Sequence, residues 1–256
     1  MSYERQFLRL RIYNIVMGFL HLAQAIFIII LSNSFTLPIT TSFLTYNKTL
    51  GKLWPATETL INLPLGIMVA VFLLLSALAH FTVATVAFSW YINNLKKGIN
   101  YARWYEYAFS ASLMIVLIGM LCGVYDLAAL IMAFFLTGVM NLCGLVMEIH
   151  NQVTEKTNWT SYVIGCIAGI APWIAIAIYF FGSLAKAEGG VPSFVYAILP
   201  TLFVFFFSFA LNMVLQYKKV GPWRDYLFGE RAYIFLSLVA KSALAWQVFA
   251  GTLRPV

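Results

Sequence analysis

The chain has 256 residues, 62% of them hydrophobic and 10% charged, a balance that excludes a soluble domain of this size and makes it an integral membrane protein. Its net charge of +7 could suggest nucleic acid, but the basic residues fall in short loops between apolar runs, where membrane topology explains them better, so no nucleic-acid partner is expected. Strands of an outer-membrane barrel would alternate polar and apolar residues; these runs stay apolar over the roughly 20 residues a helix needs to cross about 30 Å of hydrocarbon.

Seven such spans are predicted, at residues 10–31, 63–92, 101–123, 127–149, 161–184, 192–216 and 232–253. The expected fold is an all-α membrane protein, one seven-transmembrane-helix bundle forming a single domain over 1–256. MSYERQFLRLR precedes the first span, and no cleavable small-residue site follows its apolar stretch, so that span is expected to stay in the protein. Arg5, Arg9, Arg11, Lys96, Lys97, Arg103, Lys156, Lys218, Lys219, Arg224 and Arg231 fall on the N-terminal side of the spans. Only Lys48, Lys52, Lys186 and Arg254 fall on the other. The excess of Lys and Arg predicts a multi-pass protein of the cell membrane with its N-terminus cytoplasmic and its C-terminus extracellular.

Most loops are short, as between antiparallel neighbours. The exception is 32–62, where SFTLPITTSFLTYN mixes Thr, Phe, Ile and Tyr in a strand-like way, so a β-hairpin on the outer face is predicted. Pro172 and Pro200 lie inside the fifth and sixth spans and should bend them. Trp90, Trp104, Trp159 and Trp223 stand near span ends, as in an aromatic belt, while Trp173, Trp246 and the run FVFFFSF are deep enough to line an interior cavity, though core packing or lipid contact is the more frequent role of such residues. Cys122, Cys143 and Cys166 have no metal-ligand spacing and read as small apolar fillers. The two glycosylation patterns, NKT and NWT, are too short to carry weight. No zinc motif, phosphate loop or hydrolase elbow occurs, and no enzyme is expected.

The seventh span contains LSLVAKSALAWQVF, with Lys241 at its centre. A central lysine costs about 2.5–3.5 kcal/mol or more on insertion scales. It lies about 16 Å from either predicted end, whereas a lysine side chain reaches only about 6 Å, so it cannot snorkel to the interface. It needs a negative partner. Glu4, Glu58, Asp126, Glu148, Glu155, Glu188, Asp225 and Glu230 fall in tails, loops or span ends, which leaves Glu106, about 8 Å inside the third span and at a depth the lysine can reach. An alternative for Glu106 is a surface pair with Arg103 at i, i+3. Ser237, one turn before Lys241, can bond its nitrogen or its adduct, and Ser110, one turn after Glu106, can bond the carboxylate. His21 and His80 lie near mid-span in the first two helices and could form a hydrated, proton-accepting cluster, though buried histidines also serve structural hydrogen bonds.

SLVAKSALAWQ, YARWYEYAFS, the long loop after the first span and the two histidines make the chain resemble the heliorhodopsin family over essentially its whole length. Ordinary microbial rhodopsins carry aspartate where Ser237 stands, and animal receptors carry an NPxxY motif that is absent here. The resemblance implies all-trans retinal as a Schiff base on Lys241, Glu106 as counterion, Ser237 beside the linkage, isomerisation to 13-cis, and a homodimer in the lipid bilayer. It further implies a pocket near Trp173, Phe206, Asn141 and Ser110. A proton pump needs carboxylates on both sides of the Schiff base. Glu106 stands as the one interior acid, so the expected function is a photosensor that informs an unknown cytoplasmic partner. The alternatives are a light-gated or passive proton conductor using the histidines, and a retinal-free transporter using the Lys241 and Glu106 pair. Many transporter folds show inverted repeats and interrupted helices, which the sequence does not.

Overall fold

The structure, a computed structural model, describes residues 3–187 and 193–254; Glu188 and the predicted start of the sixth span at Pro192 lie outside them. Among the described residues seven helices are long and apolar enough to cross a membrane. They are α1 (Tyr3–Leu31), α2 (Leu65–Ala84), α4 (Tyr101–Leu121), α5 (Leu127–His150), α6 (Thr160–Ala185), α7 (Ser193–Tyr217) and α8 (Tyr226–Val248), the last extended by one π turn, Phe249–Leu253. A short α3 (Phe88–Leu95) follows α2. Neighbours pack in sequence from α1 through α2, α4, α5 and α6, and α7 closes onto α8, which returns to α1 and α2.

The predicted hairpin is present. β1 (Thr36–Asn47) pairs antiparallel with β2 (Lys52–Pro64), with an irregularity in register between Ile39 and Thr40. Asn47 Oδ1 accepts from the amides of Thr49 and Leu50, and Gly51 supplies the positive φ of 60° that closes the turn. The ribbon is tied to the bundle where Thr40 N donates to Tyr125 O and Asn33 Nδ2 to the carbonyls of Thr252 and Arg254.

The second predicted span proves not to be one helix: the chain breaks at Thr85–Ala87 between α2 and α3. Thr85 Oγ1 turns back onto Phe81 O, and Arg11 Nε of α1 takes the carbonyl of Ala84, so the freed backbone acceptor is satisfied by a neighbour. An interrupted helix therefore exists, contrary to expectation, but it lies next to Arg11 near the N-terminal end of the bundle rather than at mid-membrane. The seventh helix also begins six residues before its predicted start. Asp225 caps it through Leu227 N; of the charged residues that suggested a loop, Glu230 is buried, while Asp225 and Arg231 face each other at 3.6 Å and stay partly exposed.

Close approach of α4, α5 and α6 depends on missing side chains. Gly165 and Gly169, one turn apart on α6, face Cys143 and Met140 of α5, the small-residue spacing common between membrane helices. On α5, a Cβ at Gly144 would collide with the Trp104 ring of α4. Gly144→Ala is expected to lower stability by about 1–3 kcal/mol, because a rigid indole cannot give way, whereas Gly182→Ala, with open space around it, should be near neutral. Thermal unfolding of the two variants in detergent checks this; equal midpoints would contradict it.

Candidate functional site

Lys241 lies inside the bundle, 3% exposed, because α8 turns this face toward α4 and α2. Its Nζ donates to Ser237 Oγ at 2.8 Å and stands 3.2 Å from Glu106 Oε1, so the contact with Glu106 is direct. The Tyr107 ring lies 5.1 Å from the ammonium, within cation–π range. An ion pair in this surrounding holds only when its remaining lone pairs are met. Ser76 Oγ of α2 does so, donating to Glu106 Oε1 at 2.6 Å. Ser110 is fully buried beside Glu106, but its hydroxyl has no hydrogen bond of ordinary geometry among the described residues. Ser76 thus bonds the carboxylate where sequence reasoning had named Ser110, which lies beside the same group. Its signal was there: Ser76 precedes His80 by one turn and shares its face.

His21 and His80 stack at 5.5 Å with an interplanar angle of 14°. His80 Nδ1 bonds Asn14 Oδ1 at 2.8 Å, while neither ring nitrogen of His21 has a partner among the described residues. A cavity of about 40 Å³ runs past Asn14, Ser76, His80 and Glu106 to Asn100 and Glu230.

At its far end is a second buried charge cluster, one that contradicts the sequence-based placing of Glu148 and Glu230 at the periphery. Both are 1% exposed, and both bind the guanidinium of Arg103. Arg103 thus does not pair with Glu106. Glu148 also accepts from Asn100 N at 2.9 Å, Trp104 Nε1 at 2.6 Å and Tyr226 OH at 3.3 Å. Glu230 accepts from Asn100 Nδ2 at 2.6 Å. The missed clue was chemical: an arginine one turn inside a span needs acids of its own, and span-end acids at like depth can supply them.

On the other side of Lys241, a small cavity bounded by Ala111, Met114, Ser237 and Ala240 adjoins a larger one of about 280 Å³. Tyr107, Met140, Asn141 and Phe206 line both, and Trp173 and Phe203 close the larger one. Trp173 meets Phe206 edge-on at 5.1 Å. Asn141, Trp173 and Phe206 therefore share one apolar slot leading from the amine, while Ser110 is not among the residues that line it and lies beside Glu106. Such a slot ending in a buried primary amine fits a long conjugated aldehyde: aromatic walls for the chain, Nζ for the carbonyl carbon, and a carboxylate for the resulting charge. One tryptophan departs from expectation: Trp104 is no belt residue but 5% exposed, held inward by Glu148, whereas Trp246 takes the outward-facing alternative, 37% exposed with Nε1 on Gln24 Oε1.

Toward the hairpin end the interior changes character. Past Lys241, α8 contributes Leu244, Ala245 and Val248 to an apolar cluster with Phe72, Ile115 and Ile118.

The family model described as Heliorhodopsin matches residues 10–253. No curated protein matches the chain. Among solved structures, the chain is similar to a light-driven proton pump, LR (Mac), from Leptosphaeria maculans, with a TM-score of 0.62 and 18% identity over 93% of this chain and 94% of that one. At that identity the likeness shows the fold, and the fold alone.

Glu148 accepts from four donors and Glu230 from two, so Glu148→Gln should cost more than Glu230→Gln, about 3–5 kcal/mol for loss of a buried partner of Arg103. Unfolding midpoints in the reverse order would overturn that ranking.

Proposed function

The chain belongs to the heliorhodopsin family, and on that premise we propose that it is a retinal photoreceptor, one retinal-binding transmembrane domain, that signals by changing shape and does not pump ions. Lys241 Nζ would hold all-trans retinal as a protonated Schiff base, and the bound group would supply visible absorption and a light-driven isomerisation to 13-cis. The observation that carries the proposal is the setting of that amine: buried, 2.8 Å from Ser237 Oγ and 3.2 Å from Glu106 Oε1, at the head of an aromatic-walled slot.

Each residue has a part that follows from its chemistry. Glu106 balances the positive nitrogen, and Ser76 holds the carboxylate oxygen that faces it. Ser237 accepts the N–H. Asn141, Trp173 and Phe206 wall the slot and exclude water, and Ser110 stands beside the Glu106 carboxylate. His21 and His80, with Asn14 behind them, are the local site for a proton leaving the nitrogen.

The polar groups favour sensing over pumping. Glu106, the histidines and the Arg103 cluster lie at the level of Lys241 or toward the N-terminal end, whereas α8 past Lys241 is embedded in apolar side chains. A proton can move locally, but among the described residues the acids on the hairpin side, Glu58 and Asp126, lie in the ribbon and at the cap of α5, outside the apolar cluster that surrounds α8. The bias of Lys and Arg assigns the N-terminal end to the cytoplasm in the cell membrane, where the signalling partner would bind. A homodimer completes the proposal, and no enzymatic step is assigned. The unpartnered nitrogens of His21 favour a second reading, a light-gated or passive proton conductor.

Protein expressed with all-trans retinal should show a visible band that hydroxylamine abolishes and that Lys241→Ala never forms. A folded protein without a band would reject the retinal reading and leave a retinal-free transporter using the same ion pair. Light-induced current in a clamped membrane would establish the conductor, and electrical silence would remove it.

Glu106→Gln should shift the band to the red. The positive charge is localised on the nitrogen in the ground state, so an adjacent carboxylate stabilises that state more than the excited one. An unmoved band would mean that another group is the counterion.

A further inference from the structure

A third opening lies at the N-terminal end, a cleft of about 270 Å³ between the turn at Gly98, the 151–157 loop and the α7–α8 connection. It has the marks of a working surface. Gln216 forms part of its wall, 8% exposed, and its Oε1 has no hydrogen-bond partner among the described residues, an acceptor left unmet in a buried side chain. Lys219 holds a φ of 52°, an uncommon conformation for a residue with a Cβ, and stands exposed at the rim with Arg224.

This cleft and the aromatic slot are joined through one residue. The Trp104 ring lines the slot, and its Nε1 donates to Glu148 Oε2 at 2.6 Å. Tyr226 lines the cleft, and its hydroxyl donates to the other oxygen of Glu148 at 3.3 Å. Gln152, also in the cleft wall, donates from Nε2 to the backbone carbonyl of Glu148 at 3.1 Å. Trp104 is pressed against Gly144 on α5, with no room even for a Cβ, so a ring displaced from the slot side cannot yield toward α5. It must move along its own plane, which alters the Nε1 bond. Arg103 fixes Glu148 from a third direction, so a shift of that carboxylate is felt at Glu230 and at the start of α8 as well.

We propose that Trp104 is the positioning residue through which the state of the slot is transmitted to the N-terminal cleft, by way of Glu148 and Tyr226, and that the cleft is where light changes the protein's outer surface. This rests on the retinal reading and adds to it the place and route of the output. Coupling of this kind needs an element with two arrangements that both sites bias. The Glu148 carboxylate, shared among Arg103, Trp104 and Tyr226, is that element.

The test is amide hydrogen exchange of residues 151–157 and 218–225, in the dark and under illumination, on retinal-loaded protein. The wild type should show a light–dark difference of roughly tenfold in exchange rate, the scale of one charge-assisted hydrogen bond. Tyr226→Phe, which removes only the hydroxyl and lies outside the slot, should keep the visible band and its response to light but lose that difference. Trp104→Phe, which keeps a ring but removes the N–H, should lose it from the other end of the route. Survival of the wild-type difference in either folded variant would overturn the inference. So would a wild type that responds to light with no change at the cleft, in which case the retinal reading stands. A wild type that never forms a visible band removes both.

Discussion

Everything in the interior is arranged around one difficulty, a primary amine held where the bilayer supplies no water. Lys241 can remain there because Glu106 faces it from α4, Ser237 accepts from it one turn back, and Ser76 secures the carboxylate from α2. Three helices are thereby fixed in rotation relative to one another, since turning α4 or α8 would leave a charge unpaired and turning α2 would take the hydroxyl donor from the carboxylate. The apolar packing around them is permissive by comparison; it fills space but does not choose which face looks inward.

The same requirement recurs one layer nearer the N-terminal end, where Arg103 draws Glu148 from α5 and Glu230 from α8. Two buried charge groups joined by a small cavity make that half of the bundle polar, while the hairpin half is closed by leucine, isoleucine, valine and phenylalanine. The division has a physical consequence for any event at Lys241. A change in charge or shape there has polar side chains and a small cavity beside it in one direction and close-packed hydrocarbon in the other. Hydrogen-bonded groups have discrete alternative partners, so the polar half is the half that can switch.

Much of the fold was legible because membrane helices announce themselves by length and composition, and the hairpin by its Thr-rich, strand-like segment. The lysine was legible for the same reason: one charge in an apolar run has no bland explanation once its distance from both ends exceeds its reach. What stayed hidden was whatever a one-dimensional measure of depth blurs. Glu148 and Glu230 lie close enough to their span ends to look solvated, and only the approach of Arg103 from another helix makes them interior. Trp104 was misplaced by the same criterion, since nearness to a span end says nothing about which way a side chain faces. The break after Ala84 depends on Arg11 of α1 arriving to take the freed carbonyl, a contact between segments far apart in sequence. Ser76 and Asn14 are small polar residues that apolar patterning passes over, yet each shares a helical face with a histidine that was noticed.

Glycine completes the explanation of why this site has the shape it does. A slot long enough for a conjugated chain must pass between helices, yet the helices that wall it must also be close enough to hold their side chains still. Gly165 and Gly169 bring α6 against α5, and Gly144 lets Trp104 lie flat between α4 and α5. The slot then opens between α6 and α7, where phenylalanines rather than backbones set the spacing. Rigidity on one wall and aromatic filling on the other mean that force applied within the slot falls on the side chains that face it. Among the described residues that line it, Trp104 alone is both immobilised against α5 and hydrogen-bonded into the buried carboxylates, so the tight packing at Gly144 and the polar network at Glu148 are two requirements of one device.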